Sequence, residues 1–379
     1  MGGVLIVGDS VRNPELRHEV PVAIPDPVLY VELGDRRIAV VGSFEVQRVE
    51  AAGAGLEVHA FERFGRDELL KQGLNYDEIL REVTVRVCAQ LGLESAVVPP
   101  SFPVEVADRL RESGVDVKWD RPFFTARRRV KTEEELAGIK RAQRAAEAAM
   151  DTACALLRRA GPSNSVLRLD GEPLTCERLK SAVERVFSDH GVYSDDPIVS
   201  HGPQTAVGHD SGSGPIARDE PILLDLAPRD RATGCYADMT RTFVVGAPPD
   251  ELAEYARLVK DALDRSFAEI RAGASGRRVF DVACDVFEQS GYPTLRTKGD
   301  GEVLEDGFFH GLGHGVGLEV HEQPGMGFAS KDPLKAGDVV TVEPGCYRQG
   351  YGGVRLEDLV LVTKDGAENL TQYPYDLAP

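Results

Sequence analysis

At 379 residues the chain is too long for one ordinary domain and long enough for two, each able to bury its own core. A composition of 42% hydrophobic, 28% charged and 7% aromatic residues excludes a disordered or membrane-embedded chain. The excess of 62 acidic over 44 basic residues, a formal charge of -18, excludes nucleic acid and anionic membrane as expected partners and favours solubility.

The opening MGGVLIVGDS shows no basic run, long apolar core and small-residue cleavage site of a secretory signal, and no segment approaches membrane-spanning length. Six cysteines (Cys88, Cys154, Cys176, Cys235, Cys284, Cys346) stand singly, without the close pairs of zinc or redox motifs. Reduced thiols and a cytoplasmic location are expected.

Val4–Val7 and Val28–Val31 read as strands, the second turning through Gly34-Asp35 into Ile38–Val41 as a hairpin. A helical pattern over Tyr76–Leu91 stops at Gly92, the residue type expected at a helix C-terminus. These elements predict a small α/β domain without a catalytic cluster. Pro122 and the basic run Arg127-Arg128-Arg129 interrupt the periodic segments, placing a boundary in Arg121–Lys131 and domains at 1–126 and 127–379. Thr132 and Glu135 have the spacing of a capping box, opening an alanine-rich helix to about Arg159.

From there the order is helix, helix, strands, twice over. Helices near Thr132–Arg159 and Pro173–Ser188 precede strands around Ile222–Asp225 and Ala237–Val245. Helices near Asp250–Arg271 and Arg277–Ser290 precede strands around Leu318–Val320, Val339–Glu343 and Val354–Val362. This order is compatible with an internal duplication, although the two halves are not visibly alike in sequence.

The polar residues on these strands carry the chemistry. Asp225 ends an apolar strand, a place that suits either a strand-end cap or a cation ligand. Asp238 and Thr240 share a strand face, so the hydroxyl is expected to orient the Asp238 carboxylate. The 13-residue separation of the two aspartates suits a hairpin return, and two adjacent carboxylates need a cation or a shared proton between them. In His310-Gly-Leu-Gly-His314 the spacing imitates a helical zinc pair, but the glycines at 311, 313, 315 and 317 favour an extended ribbon. His314 and His321 are seven apart, so a bend or bulge must re-aim one of them. Glu343 and Glu357 each interrupt an apolar strand, with Arg355 on the face of Glu357; each alone reads equally as a sheet-edge carboxylate with a basic neighbour.

Four carboxylates and one imidazole form an oxygen-rich ligand set suited to manganese, cobalt, zinc or iron(II). Two dications neutralise the four charges; in such sites they lie about 3.5–4 Å apart and lower the pKa of a bridging water, which points to hydrolysis of an amide or related bond.

With HGLGHGVGLEVHE, TVEPGCY and GGVRLED in this order, the chain resembles the pita-bread metallopeptidases: prolidase, aminopeptidase P, methionine aminopeptidase and the metal-free relative creatinase. The resemblance implies an α+β pita-bread catalytic domain preceded by a smaller α/β creatinase-type amino-terminal domain. It implies that Asp225 chelates one of two divalent ions (manganese first; cobalt, zinc or iron as alternatives), that Asp238 and Glu357 bridge both, and that His314 and Glu343 complete the other. Glu343 is then also the general base for the bridging hydroxide nucleophile, with His209 and His321 on the substrate side and Arg355 behind the ligands. The implied reaction is cleavage of the Xaa-Pro bond at the N-terminus of dipeptides or short peptides, by a homodimer. Two departures stand out: the Ala227–Ala237 loop is two residues longer than the family's usual spacing, and Gly325 replaces an arginine that microbial prolidases often carry, leaving longer Xaa-Pro peptides open. The competing readings are a metal-dependent hydrolase of a small non-peptide amide and a non-catalytic peptidase-like binding module.

Overall fold

The computed structural model describes residues 2–163 and 165–379, which divide into two compact units, Met1–Arg128 and Arg129–Pro379. The first is built on a six-stranded sheet in the spatial order Glu57–Ala60, Arg36–Val41, Val28–Leu33, Gly2–Gly8, Ser95–Val98, Asp116–Trp119. The antiparallel pair Val28–Leu33 and Arg36–Val41 is the expected hairpin, with Gly34 at φ +59, a left-handed turn conformation open to glycine at no steric cost. The helix Tyr76–Leu91 begins at an Asn75–Glu78 capping box and ends at Gly92 with φ +68. Ile79, Val83 and Val87, spaced to fall on one face, seal it onto the sheet residues Leu5, Val31 and Val40.

The expected interruption at Arg121–Lys131 is itself mostly helix, Arg121–Arg129. Pro122 lies in its first turn, where a missing N–H breaks no intrahelical bond, so the residue read as a breaker is a starter.

The second unit contains two helix pairs. Glu133–Arg159 opens at the Thr132–Glu135 capping box and packs on Cys176–Asp189; its buried face, with Ala142, Ala145, Ala146, Ala149 and Ala153, is small enough for close approach. Asp250–Glu269 packs on Gly276–Gln289 around Phe280 and Phe287. The strands they cover form a three-stranded sheet (Ile198–His201, Pro221–Leu226, Met239–Val244) and a five-stranded sheet (Glu322–Met326, Gly313–Gly315, Val339–Val342, Asp358–Val362, Ala367–Asn369). A third, shorter sheet joins Asp306–Gly307, Gly345–Arg348 and Gly352–Arg355.

Four expectations shift. The expected Val354–Val362 strand is two, Gly352–Arg355 and Asp358–Val362, with Leu356 and Glu357 between them. Helix Cys176–Asp189 starts after Pro173, which sits in a short strand, because Thr175 supplies the N-cap. The strand ending at Val244 starts at Met239 rather than Ala237. Leu318–Val320 is not a strand: Gly317 N–H bonds to the Glu319 carbonyl at 3.1 Å, and the chain bends back into Glu322–Met326. Among the described residues no helix is long and apolar enough to cross a membrane.

Candidate metal centre

Asp225 and Asp238 arrive on neighbouring antiparallel strands in which Asp225 pairs with Thr240 and Leu226 with Met239. Asp238 precedes its strand by one residue. The long connection between them folds on itself, Asp230 N–H bonding to the Cys235 carbonyl at 2.8 Å, with Arg141 Nη2 held on Asp230 Oδ2 at 2.8 Å. The connection is thus held by an ion-paired turn.

His314 is the centre of the short strand Gly313–Gly315, and glycine is required on either side of it. A Cβ on Gly313 would lie 2.1 Å from the Thr341 carbonyl oxygen, and one on Gly315 would lie 2.6 Å from that of Gln323. The register shifts between Gly313 and Gly315, and after the bend the rings of His314 and His321 meet edge to face, 4.3 Å between centroids. Glu343 follows strand Val339–Val342, its N–H on the Leu312 carbonyl at 2.8 Å. The N–H of Glu357 bonds to the Thr240 carbonyl at 3.0 Å, which ties the fifth position to the strand of Asp238.

One oxygen or nitrogen each from Asp238, His314 and Glu357 lie within 4.8 Å of one another. Glu343 Oε1 joins at 3.4 Å from His314 Nε2, which is also 3.8 Å from Asp238 Oδ2. Asp225 is linked to the group through Arg355, whose Nη2 donates to Asp225 Oδ2 at 2.6 Å. All five border a cleft of about 580 Å³ that His209 and His321 also line, both exposed.

The electrostatics of this cluster need a cation. Burial, then the charges of Glu357, Asp225 and Glu343, raise the Asp238 pKa; burial, then Glu343 and Asp225, raise that of Glu357. Burial also pushes Glu343 up to about 7. Asp238 Oδ1 is buried with no hydrogen-bond partner. His314 Nδ1 faces the Gly315 carbonyl at 3.2 Å, an acceptor only, so that nitrogen carries the proton. Burial lowers its pKa to about 4, leaving Nε2 as a bare lone pair against two carboxylates. Lone pair facing lone pair at 3.4 and 3.8 Å is repulsive unless a positive ion lies between them. The residues therefore fit divalent ions on chemistry and on geometry.

Two partners differ from expectation. The Thr240 hydroxyl donates to Glu357 Oε2 at 2.7 Å, not to Asp238. Arg355 does not pair with Glu357 but crosses to Asp225, and its Nη1 donates to the Tyr347 oxygen at 3.3 Å. A third residue had no assigned part in the sequence reading: His310. Its Nδ1–H donates to the Gly311 carbonyl at 2.7 Å, and burial lowers its pKa to about 3, so Nε2 accepts from the Tyr347 hydroxyl at 2.8 Å. His310 Nδ1 lies 4.0 Å from Glu343 Oε2. The four-residue spacing to His314 was its signal, read only for a helix.

Residues 137–364, more than half of the chain, match the sequence profile of Metallopeptidase family M24. The chain belongs to this family. The chain is 34% identical over 183 residues to an Xaa-Pro dipeptidase of Pyrococcus furiosus, covering 48% of this chain and 49% of that protein. The chain thus spans about half the length of that curated relative in the alignment. A solved Xaa-Pro dipeptidase from Bacillus anthracis superimposes with TM-score 0.79 at 25% identity, over 99% of this chain and 94% of the other. An X-Pro aminopeptidase from Thermotoga maritima gives TM-score 0.79 at 22% identity over 99% and 97%, a likeness of fold. This M24 protein has the α+β pita-bread fold preceded by a smaller amino-terminal unit, as the motifs implied.

Proposed function

We propose that this M24 protein hydrolyses the Xaa-Pro bond at the N-terminus of dipeptides or short peptides, with two divalent ions held by Asp225, Asp238, His314, Glu343 and Glu357. The observation that carries the reading is Asp238: a buried carboxylate with a partnerless oxygen, ringed by further carboxylates and an imidazole lone pair. The oxygen-rich donor set favours manganese, with cobalt, zinc or iron as alternatives. Bound there, the ions supply Lewis acidity and ready deprotonation of water at neutral pH.

The side chains divide the remaining work. Glu343, at the cleft beside His314, accepts the proton of the attacking water and returns it towards the leaving nitrogen. Arg355 holds Asp225, and Thr240 holds Glu357, so neither carboxylate has to reorient during turnover. His209 and His321 line the cleft and donate hydrogen bonds to the scissile carbonyl and to the oxyanion that develops from it. The same proposal assigns 1–126 to a creatinase-like accessory domain and 127–379 to the catalytic domain. Six buried cysteines without disulfides support a cytoplasmic setting, and likeness to the family supports a homodimer.

Purified protein stripped of metal and reloaded with Mn²⁺, Co²⁺, Zn²⁺ or Fe²⁺ should cleave Xaa-Pro and Xaa-Pro-Yaa peptides in preference to small non-peptide amides. Protein that takes up no divalent ion and leaves every Xaa-Pro peptide intact refutes the reading.

A further inference from the structure

Six charged side chains line the cleft: the four carboxylates of the cluster, Arg355 and Asp196. The cluster carboxylates are balanced by two dications in the proposed state, and the Arg355 guanidinium is 6% exposed and committed to Asp225. Asp196 is different. It lies just before strand Ile198–His201, its side chain is 66% exposed, and it lines the cleft beside Ile198. Its neighbour is Lys180 on helix Cys176–Asp189, with Nζ at 3.6 Å from Oδ1. That distance is well beyond the 2.7–2.9 Å of a strong charge-assisted hydrogen bond. Lys180 is only 15% exposed, so it sits behind Asp196 and leaves the carboxylate open to solvent.

The flank of this mouth carries charges of both signs. The Arg229 guanidinium lies over the Tyr236 ring at 5.2 Å and that of Arg231 over the Tyr193 ring at 5.0 Å, while the charges of Asp195 and Glu319 also act on the Tyr236 phenol; Glu319 adjoins Val320, another cleft residue. Among the described residues lining the cleft there is no lysine or arginine other than Arg355. Within the cleft lining, a substrate therefore meets Asp196 as the exposed carboxylate, with no lysine or arginine besides Arg355 to receive a carboxylate of its own.

We infer that Asp196 is a specificity-determining residue, selecting peptides with a lysine or arginine immediately before or immediately after the proline over neutral and acidic counterparts. The inference rests on the peptidase reading above and narrows its substrate class. Because the carboxylate is exposed, its contribution is that of a surface ion pair, about two- to five-fold in kcat/KM at low ionic strength, fading in 1 M salt.

The test uses the full-length, metal-loaded protein and two matched series, Xaa-Pro-Ala and Ala-Pro-Xaa, with Xaa as Arg, Ala or Glu. Each enzyme is its own reference, because only ratios of kcat/KM are compared. The wild type should rank Arg over Ala over Glu in at least one series. Asp196→Asn should flatten that order and Asp196→Lys should invert it. Lys180→Met, which removes the competing cation, should steepen it. Loss of Asp196 charge and loss of Lys180 charge thus move the ratio in opposite directions, which general damage to the fold does not do. Cleavage without charge ranking, or a ranking that Asp196→Asn and Asp196→Lys leave intact, overturns the inference while sparing the peptidase reading. Failure to cleave any peptide overturns both.

Discussion

Glu19 in the first unit and Asp238 in the second are both 4% exposed, and their surroundings are opposite. Glu19 receives Arg127 Nε at 2.7 Å on one oxygen and Arg37 Nη2 at 3.0 Å on the other. Asp238 has an oxygen with no partner, and the charges that act on it most strongly are those of Glu357, Asp225 and Glu343. The same contrast holds within the second unit, where buried Asp338 and Asp358 are paired with Arg129 and Arg241 at 2.5 and 2.9 Å. A buried charge that its own unit neutralises serves the fold, and one left unbalanced is waiting for something from outside.

The sharpest way to break this contrast is through catalysis. Glu343→Gln keeps the size of the side chain but cannot take a proton, and kcat/KM on an Xaa-Pro peptide should fall by about 10²–10⁴. Retained activity would remove Glu343 from its role.

Stability against pH separates the two regions next. In metal-stripped protein the pKa of Glu343 is raised to about 7, with Asp238 and Glu357 also raised, chiefly by burial. A carboxyl whose folded pKa exceeds its unfolded value carries no penalty below the unfolded value and the full penalty above the folded one. The stripped protein should therefore lose stability as pH rises from about 4.5 to about 7, by roughly 3 kcal/mol for Glu343 alone. Melting curves with and without Mn²⁺ across that window check this, since bound ions should abolish the slope.

A smaller loss is expected on removing the guanidinium that orients Asp225. Arg355→Met should weaken metal affinity or activity about ten- to a hundred-fold, read by metal titration. The smallest effects are the most diagnostic because they differ in sign. Glu19→Leu should destabilise the protein by about 2 kcal/mol, since its two arginines lose their partner but keep partial access to water. Asp238→Asn should stabilise the metal-free protein by about 1 kcal/mol while weakening metal binding, because it deletes an unbalanced charge. Denaturant titration of both variants without metal compares them directly.

Much of the architecture was legible because its causes are local. Asn75 with Glu78, Thr132 with Glu135, Gly92 after a helix and Gly34 in a hairpin all act within a few residues of themselves. The reading failed where a local signal had two meanings. Pro122 looked like a break and is a helix start, and Leu318–Val320 looked like a strand and is a bend.

The place of Asp225 at a strand end could be read from the sequence, as could the need for the ribbon to bend between His314 and His321; that Asp238, Glu343 and Glu357 lie just outside their strands could not. The legible properties follow from strand periodicity and the conformational range of glycine, which the chain carries wherever it folds. Which groups face one another was decided only in three dimensions. Thr240 meets Glu357 117 residues away, Arg355 meets Asp225 130 residues away, and Tyr347 holds His310 across 37. Register between strands, not order along the chain, sets these pairs, and the unbalanced burial of Asp238 exists only once the strands have closed around it.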